Sequence, residues 1–249
     1  LYNHFQAILV NYGAVLKYLI GFLIFFNFVF ADTQYGICEI DTLDTQSAKE
    51  CIQRVLKKDP KNIQCIVKLA NLYLRQGELS KGFELIYEAY TLNPQAVQKS
   101  AVASILPFAL KISALKENAL QEENPNAWNE IGDSFYDMGV YKEALEAYEN
   151  SVKIDKNQEE IVLKLALCYK KVGQNYGALE NLKEVIKLNK DNFYANYYLG
   201  KILKYSFQDS GNATKYLQKA KELLQANENL VSAKEYPQFL SDIIFELSK

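Results

Sequence analysis

The chain has 249 residues, of which 49% are hydrophobic, with 11 glycines, five prolines and a formal net charge of −2. That composition supplies a continuous core, excludes a disordered or turn-rich scaffold, and opposes wholesale binding to nucleic acid. His4 is the only histidine, so the rest of the chain has no imidazole base, no Cys–His pair and no His-bearing zinc site.

Residues 14–31 read AVLKYLIGFLIFFNFVFA, with only Asn27 interrupting the apolar run from Tyr18 to Phe30. Small residues at Val29 and Ala31 suit signal-peptidase cleavage before Asp32. The run is short of the roughly 20 residues a membrane-spanning helix needs, although the weakly apolar stretch Phe5–Val15 would lengthen it. Residues 1–31 are therefore expected to be a signal peptide or an uncleaved N-terminal membrane anchor. Lys17 precedes the run, and Glu39, Asp41 and Asp44 follow it. Either way the body is expected to be secreted, periplasmic or in a secretory lumen, or tethered with its bulk on the non-cytoplasmic side. The sequon Asn212-Ala213-Thr214 is a glycosylation candidate at Asn212 on such a route. Four cysteines lack CxxC spacing: Cys65 and Cys168 read as buried thiols, and Cys38 with Cys51 as a disulfide in an oxidising compartment.

Residues 32–43 show little periodicity and read as a lead-in. Beyond them apolar residues recur at helical spacing in units about 34 residues long. The first, 44–62, is partial: Asp44 or Thr45 caps a helix bearing Ala48, Ile52, Val55 and Leu56, closed by Asp59-Pro60. Unit 63–94 pairs a helix bearing Ile66, Leu69, Ala70 and Tyr73 with a second from Ser80 to Leu92, joined at Gly77. Residues 95–124 are six short of the period and read as a degenerate pair, with helical patterns over 96–106 and 108–122 on either side of Pro107. Unit 125–158 carries Trp128, Ile131, Gly132, Phe135, Gly139, Ala144 and Tyr148. Unit 159–192 repeats it with Val162, Leu165, Ala166, Tyr169, Gly173 and Ala178. Unit 193–225 continues with Leu199, Gly200 and Leu203, and its turn has one extra residue. The tail, 226–249, ends in an apolar helix after Pro237 that would cap the last unit.

The run Trp128-x2-Ile131-Gly132-x2-Phe135, followed by Ala144-x3-Tyr148, resembles the tetratricopeptide repeat family. The resemblance spans about residues 44–225 and implies an all-α fold, a right-handed α-solenoid of helix pairs with a C-terminal capping helix. It also implies that the first helix of each pair lines a concave groove that receives a partner segment. The groove candidates are Asn71, Arg75, Asn129, Asp133, Lys170, Tyr194, Tyr197, Lys201 and Lys204. Tyrosine and lysine at the C-terminal end suit a partner segment with acidic and apolar residues. Asn71 matches one position of the lysine–asparagine clamp that some such proteins use on chaperone C-termini. Its expected lysine is Val67 here, which speaks against that specialisation.

The expected function is non-enzymatic: a scaffold, adaptor or assembly factor that binds another protein, a peptide segment or a complex subunit, without cofactor or metal. No phosphate loop or nucleophile turn is present. The alternative is an accessory subunit of a membrane complex, with residues 14–31 retained as a transmembrane helix.

Overall fold

The computed structural model describes residues 44–248. Cys38, the lead-in and the apolar segment 14–31 lie outside the described residues. Among those described, twelve α-helices and one short 3-10 turn are present, without strands. We label the helices α1 (Thr45–Lys58), α2 (Ile63–Arg75), α3 (Leu79–Leu92), α4 (Pro94–Gln98), α5 (Leu106–Gln121) and α6 (Pro125–Asp137). They continue with α7 (Tyr141–Ile154), α8 (Glu159–Lys171), α9 (Asn175–Leu188), α10 (Phe193–Ser206), α11 (Ser210–Ala226) and α12 (Tyr236–Ser248).

Their contacts divide the chain into two compact units. One runs to Glu122 and includes Asp137–Glu143; the other comprises Glu123–Tyr136 and Ala144 onward. Within the first, α1 packs on α2, α2 on α3 and α3 on α5. Ala48, Ile52, Cys65, Leu69 and Leu72 form its buried cluster at the α1–α2 junction. Within the second, α8, α9, α10, α11 and α12 each pack on the next in sequence. This neighbour-on-neighbour stacking of helix pairs is the α-solenoid arrangement that the 34-residue period leads one to expect.

Helix starts follow from short polar side chains. Asp44 accepts from the backbone N–H groups of Gln46 and Ser47 at 3.0 and 3.1 Å. Asn62 and Asn192 accept in the same way from Cys65 (3.1 Å) and Ala195 (2.8 Å). The turns inside the pairs depend on backbone handedness. Gly77, Gly139 and Gly173 adopt φ of 78°, 72° and 80°, where a Cβ is strained. In two of these turns a backbone N–H reaches five residues back, from Glu78 to Tyr73 and from Gln174 to Tyr169. The α10–α11 turn holds the extra residue foreseen from the sequence. Its closing bond runs from Asp209 to Leu203, six residues back, and non-glycine Gln208 takes the left-handed position at φ 55°.

Residues 95–124 depart from the expected pair. Instead of a helix over 96–106, the chain forms the five-residue α4 and then consecutive turns up to Ile105. Pro107 is not a break between helices; it stands in the first turn of α5. A proline is tolerated there because that N–H has no helical acceptor to lose. The Ser100 hydroxyl donates to the Val97 carbonyl at 2.7 Å, diverting a carbonyl that would otherwise continue α4.

Candidate partner-binding face

The first helices of successive pairs in the second unit are α6, α8 and α10, and α12 follows them. Small residues set how closely each pair packs. A Cβ on Gly132 would run into the Tyr148 ring, and one on Gly200 would lie 2.7 Å from Leu217 Cγ. That close approach buries Tyr148 completely. Its hydroxyl emerges at the edge of α6 and donates to Asp133 Oδ1 at 2.6 Å. Burial and the Asp133 carboxylate hold the Tyr148 phenol well above the usual tyrosine range.

Asp133 also accepts from Lys164 Nζ at 2.9 Å, and Lys164 pairs with Glu160 at 2.9 Å. Asp133 thus ties α6 to α7 and α8. Asn129 is half-buried and donates to Gln158 Oε1 at 2.7 Å. Gln158 in turn donates to Ser151 Oγ and the Asp155 carbonyl. The Asn129 Oδ1 is buried without a hydrogen-bond partner.

The C-terminal candidates meet α12. Tyr197, only 7% exposed, donates its hydroxyl to Asp242 Oδ2 at 2.7 Å. Lys201 Nζ reaches the same oxygen at 2.8 Å and lies 3.7 Å from Glu246. Lys204 pairs with Glu246 at 3.1 Å and donates to its backbone carbonyl. The Tyr205 hydroxyl completes the set, at 2.7 and 2.6 Å from the two Glu246 carboxylate oxygens. Tyr194 and Tyr197 stand edge-on to the Phe239 ring, with centroids 5.9 and 5.0 Å away.

Burial alone would raise the Asp242 carboxyl, but the hydrogen bonds from Lys201 and Tyr197 outweigh it and hold it below the ordinary 3.8. The same opposition holds Glu246 below 4.5, through Tyr205, Lys204 and Lys201. Burial and the bond to Asp242 push the Tyr197 phenol up.

Of the nine groove candidates, Tyr194, Tyr197, Lys201 and Lys204 are brought together, but under the chain's own last helix. Asn129 and Asp133 enter polar networks within their unit. Asn71 is half-buried and Arg75 exposed on α2 of the other unit. Lys170 remains available. Its ammonium sits 5.2 Å from the Tyr198 ring centroid, and no carboxylate of the described chain lies within ion-pair distance. Loss of water near the ring, with Lys171 and Lys201 close by, pulls Lys170 below the ordinary lysine value. Leu163 and Leu167 are half-buried on the same helix.

Sequence reasoning placed the last helix, with Phe239 on its apolar face, over the exposed core end and overlooked Asp242 and Glu246 as contact residues. Their spacing, acids three and seven positions after Phe239, was a readable signal opposite Lys201 and Lys204. Elsewhere, Asn212 is exposed, but its amide donates to Asp209 Oδ2 at 2.7 Å and it lies in the first turn of α11. Cys51 is disulfide-bonded, while Cys65 and Cys168 are free and buried. Burial pushes the Cys168 thiol up to about 12, the reverse of a reactive cysteine.

Among the described residues no three His, Cys, Asp or Glu side chains group to hold a metal, and no helix is long and apolar enough to cross a membrane. This arrangement of lysines, tyrosine hydroxyls and aromatic faces holds carboxylates and rings in place.

A family model described as TPR repeat matches residues 132–173. TPR repeat-containing protein MJ1428 of Methanocaldococcus jannaschii is 24% identical over 193 residues, covering 72% of this chain and 34% of that protein. The BBSome complex member BBS4 homolog of Drosophila melanogaster is 25% identical over 185 residues, covering 72% and 38%. The chain thus spans little more than a third of the length of either relative. Among solved structures, YrrB, a TPR protein with an unusual peptide-binding site, is 20% identical. It covers 76% of this chain and 100% of its own, with a TM-score of 0.41, a likeness too low to assign a site or partner.

Proposed function

We propose that the chain is a tetratricopeptide repeat protein and, as such, a non-enzymatic scaffold or adaptor that binds a segment of another protein. The binding face is the one around Lys170 and Tyr198. One observation carries this reading. Lys164, Lys201 and Lys204 each meet a carboxylate of their own chain, whereas Lys170 meets none among the described residues and stands over an aromatic ring. A cation held in that way, beside the half-buried Leu163 and Leu167, is a place for a partner's acid and its apolar neighbours.

Affinity capture tests the reading, with the full chain and a Lys170→Glu/Tyr198→Ala variant. We expect the variant to lose the main protein retained by the wild type, or to bind it at least about tenfold more weakly, the loss of one well-placed anchor. Equal retention would refute the assignment.

The reading extends to location. The apolar segment 14–31, with Lys17 before it and Glu39, Asp41 and Asp44 after it, supports a repeat body on the non-cytoplasmic side, free or tethered. A second reading, an accessory subunit of a membrane complex, draws support from the same segment if it is retained, and from the relative described as a complex member.

A further inference from the structure

The residues with the chemistry of a partner site on α10 are occupied, and their occupant shows what that site accepts. Asp133 and Lys201 hold the same place in their units, 68 residues or two periods apart. Asp133 meets Lys164 of the next first helix, and Lys201 meets Asp242 of α12. Hence α12 lies where the next first helix would lie, with the charges reversed. The slot is lined by Phe193, Tyr197, Lys201, Lys204 and Tyr205. It holds one ring, Phe239, at 5.3 Å from Phe193, and two acids one helical turn apart.

The occupant is less buried than the helix it covers. Only Ile243 and Glu246 of its 13 residues are buried, against eight residues in α10, while Tyr236, Phe239, Leu240 and Leu247 rest half-buried on the same core. Ile244 is 48% exposed. Part of the attachment is ionic: the partly exposed Lys201–Asp242 pair is open to screening by salt, whereas the pair of Lys204 with buried Glu246 is more sheltered. The connection from Asn227 to Glu235 contains a three-residue 3-10 turn and a second turn before α12; it is mostly exposed, with Val231 buried in the core. A terminal helix with one fully buried apolar residue and a mostly exposed tether belongs to the less stable end of a fold. Its departure would bare Tyr197 and the lysines at once.

We propose that α12 is an intramolecular ligand that gates this slot. A partner helix carrying an aromatic and two acids at the spacing of Phe239, Asp242 and Glu246 enters the slot when α12 leaves. The sign reversal relative to the Asp133–Lys164 contact gives the slot its selectivity, since a basic helix would face Lys201 and Lys204 unpaired. This proposal rests on the scaffold reading, but its site and its test are separate from Lys170.

The test uses a fluorescein-labelled peptide with the sequence of residues 236–248, titrated at low salt against the full chain and against an Asp242→Lys/Glu246→Lys variant. The variant's own helix is repelled, so its slot is open. We expect it to bind the peptide at least about tenfold more tightly than the wild type, whose apparent affinity is reduced by the closed fraction. A peptide with lysine at both acid positions should bind neither. Equal affinity for the two proteins, or no binding to the variant, overturns the proposal; if partner capture still depends on Lys170, the scaffold reading survives. Hydrogen exchange on the wild type is the second measurement. Raising the salt should speed exchange across residues 236–248 by about tenfold, while α8 is unaffected. Unchanged protection of α12 would likewise overturn the proposal.

Discussion

Gly132 illustrates how much of this fold depends on a missing side chain. The Tyr148 ring occupies the space a Cβ would need, and that ring is fully buried with its hydroxyl committed to Asp133. The ring cannot swing away without breaking the bond to an acid that also holds Lys164. Gly132→Ala should therefore destabilise the second unit by about 1–3 kcal/mol, the usual cost of overpacking a tight core; urea unfolding measures it. A loss below about 0.5 kcal/mol would mean the ring shifts freely. Gly173 differs: nothing lies within 4 Å of its would-be Cβ, and it is required only for its φ of 80°. Both glycines were legible from the repeat. A pattern shows that a small residue recurs, and only the packed neighbours show whether space or backbone handedness demands it.

At the scale of elements, α12 carries the chemistry that most needs three dimensions. Asp242 and Glu246 are held below 3.8 and 4.5 in the folded chain by Tyr197, Lys201, Lys204 and Tyr205 of α10. A carboxylate with a depressed folded pKa contributes stability above its unfolded pKa and loses it as pH falls through the folded one. Docking of α12 should thus be intact above about pH 5 and weaken steadily as pH falls below the ordinary carboxylate values. Hydrogen exchange or tyrosine fluorescence as a function of pH reads this. Docking that is flat from pH 6 to about pH 3 would contradict the ion-pair account. The element list itself was largely readable, because amphipathic spacing, Asn and Asp caps and turn glycines act within one or two helical turns. The exception, residues 95–124, lacked such local signals: apolar spacing continued across 96–106, yet the chain there forms a short helix and turns. Pro107 looked like a break and proved to be a helix start, since a proline interrupts a helix only beyond its first turn.

At the scale of the molecule, the chain's net charge of −2 and lone histidine narrow what it does more than any single site. A segment-binding scaffold needs neither catalysis nor a metal, only a surface with a few anchors. If the body is exported as a soluble adaptor, mass spectrometry of the native protein should find an N-terminus at Asp32. Recovery of peptides covering Phe22–Phe30 from the mature protein would instead favour the tethered subunit.

By itself, the sequence determined the all-α class, the helix pairs and their turns, because a 34-residue repeat of sizes and polarities imposes the same local solution each time. Only the tertiary structure decided which polar side chains remain available. Tyr197, Lys201 and Lys204 have the composition of a binding patch, but acids some 40 residues downstream meet them, whereas Lys170 meets no carboxylate among the described residues. Helical spacing ranks residues by face; it cannot say which later segment folds back onto that face, because that depends on contacts between residues far apart in the chain.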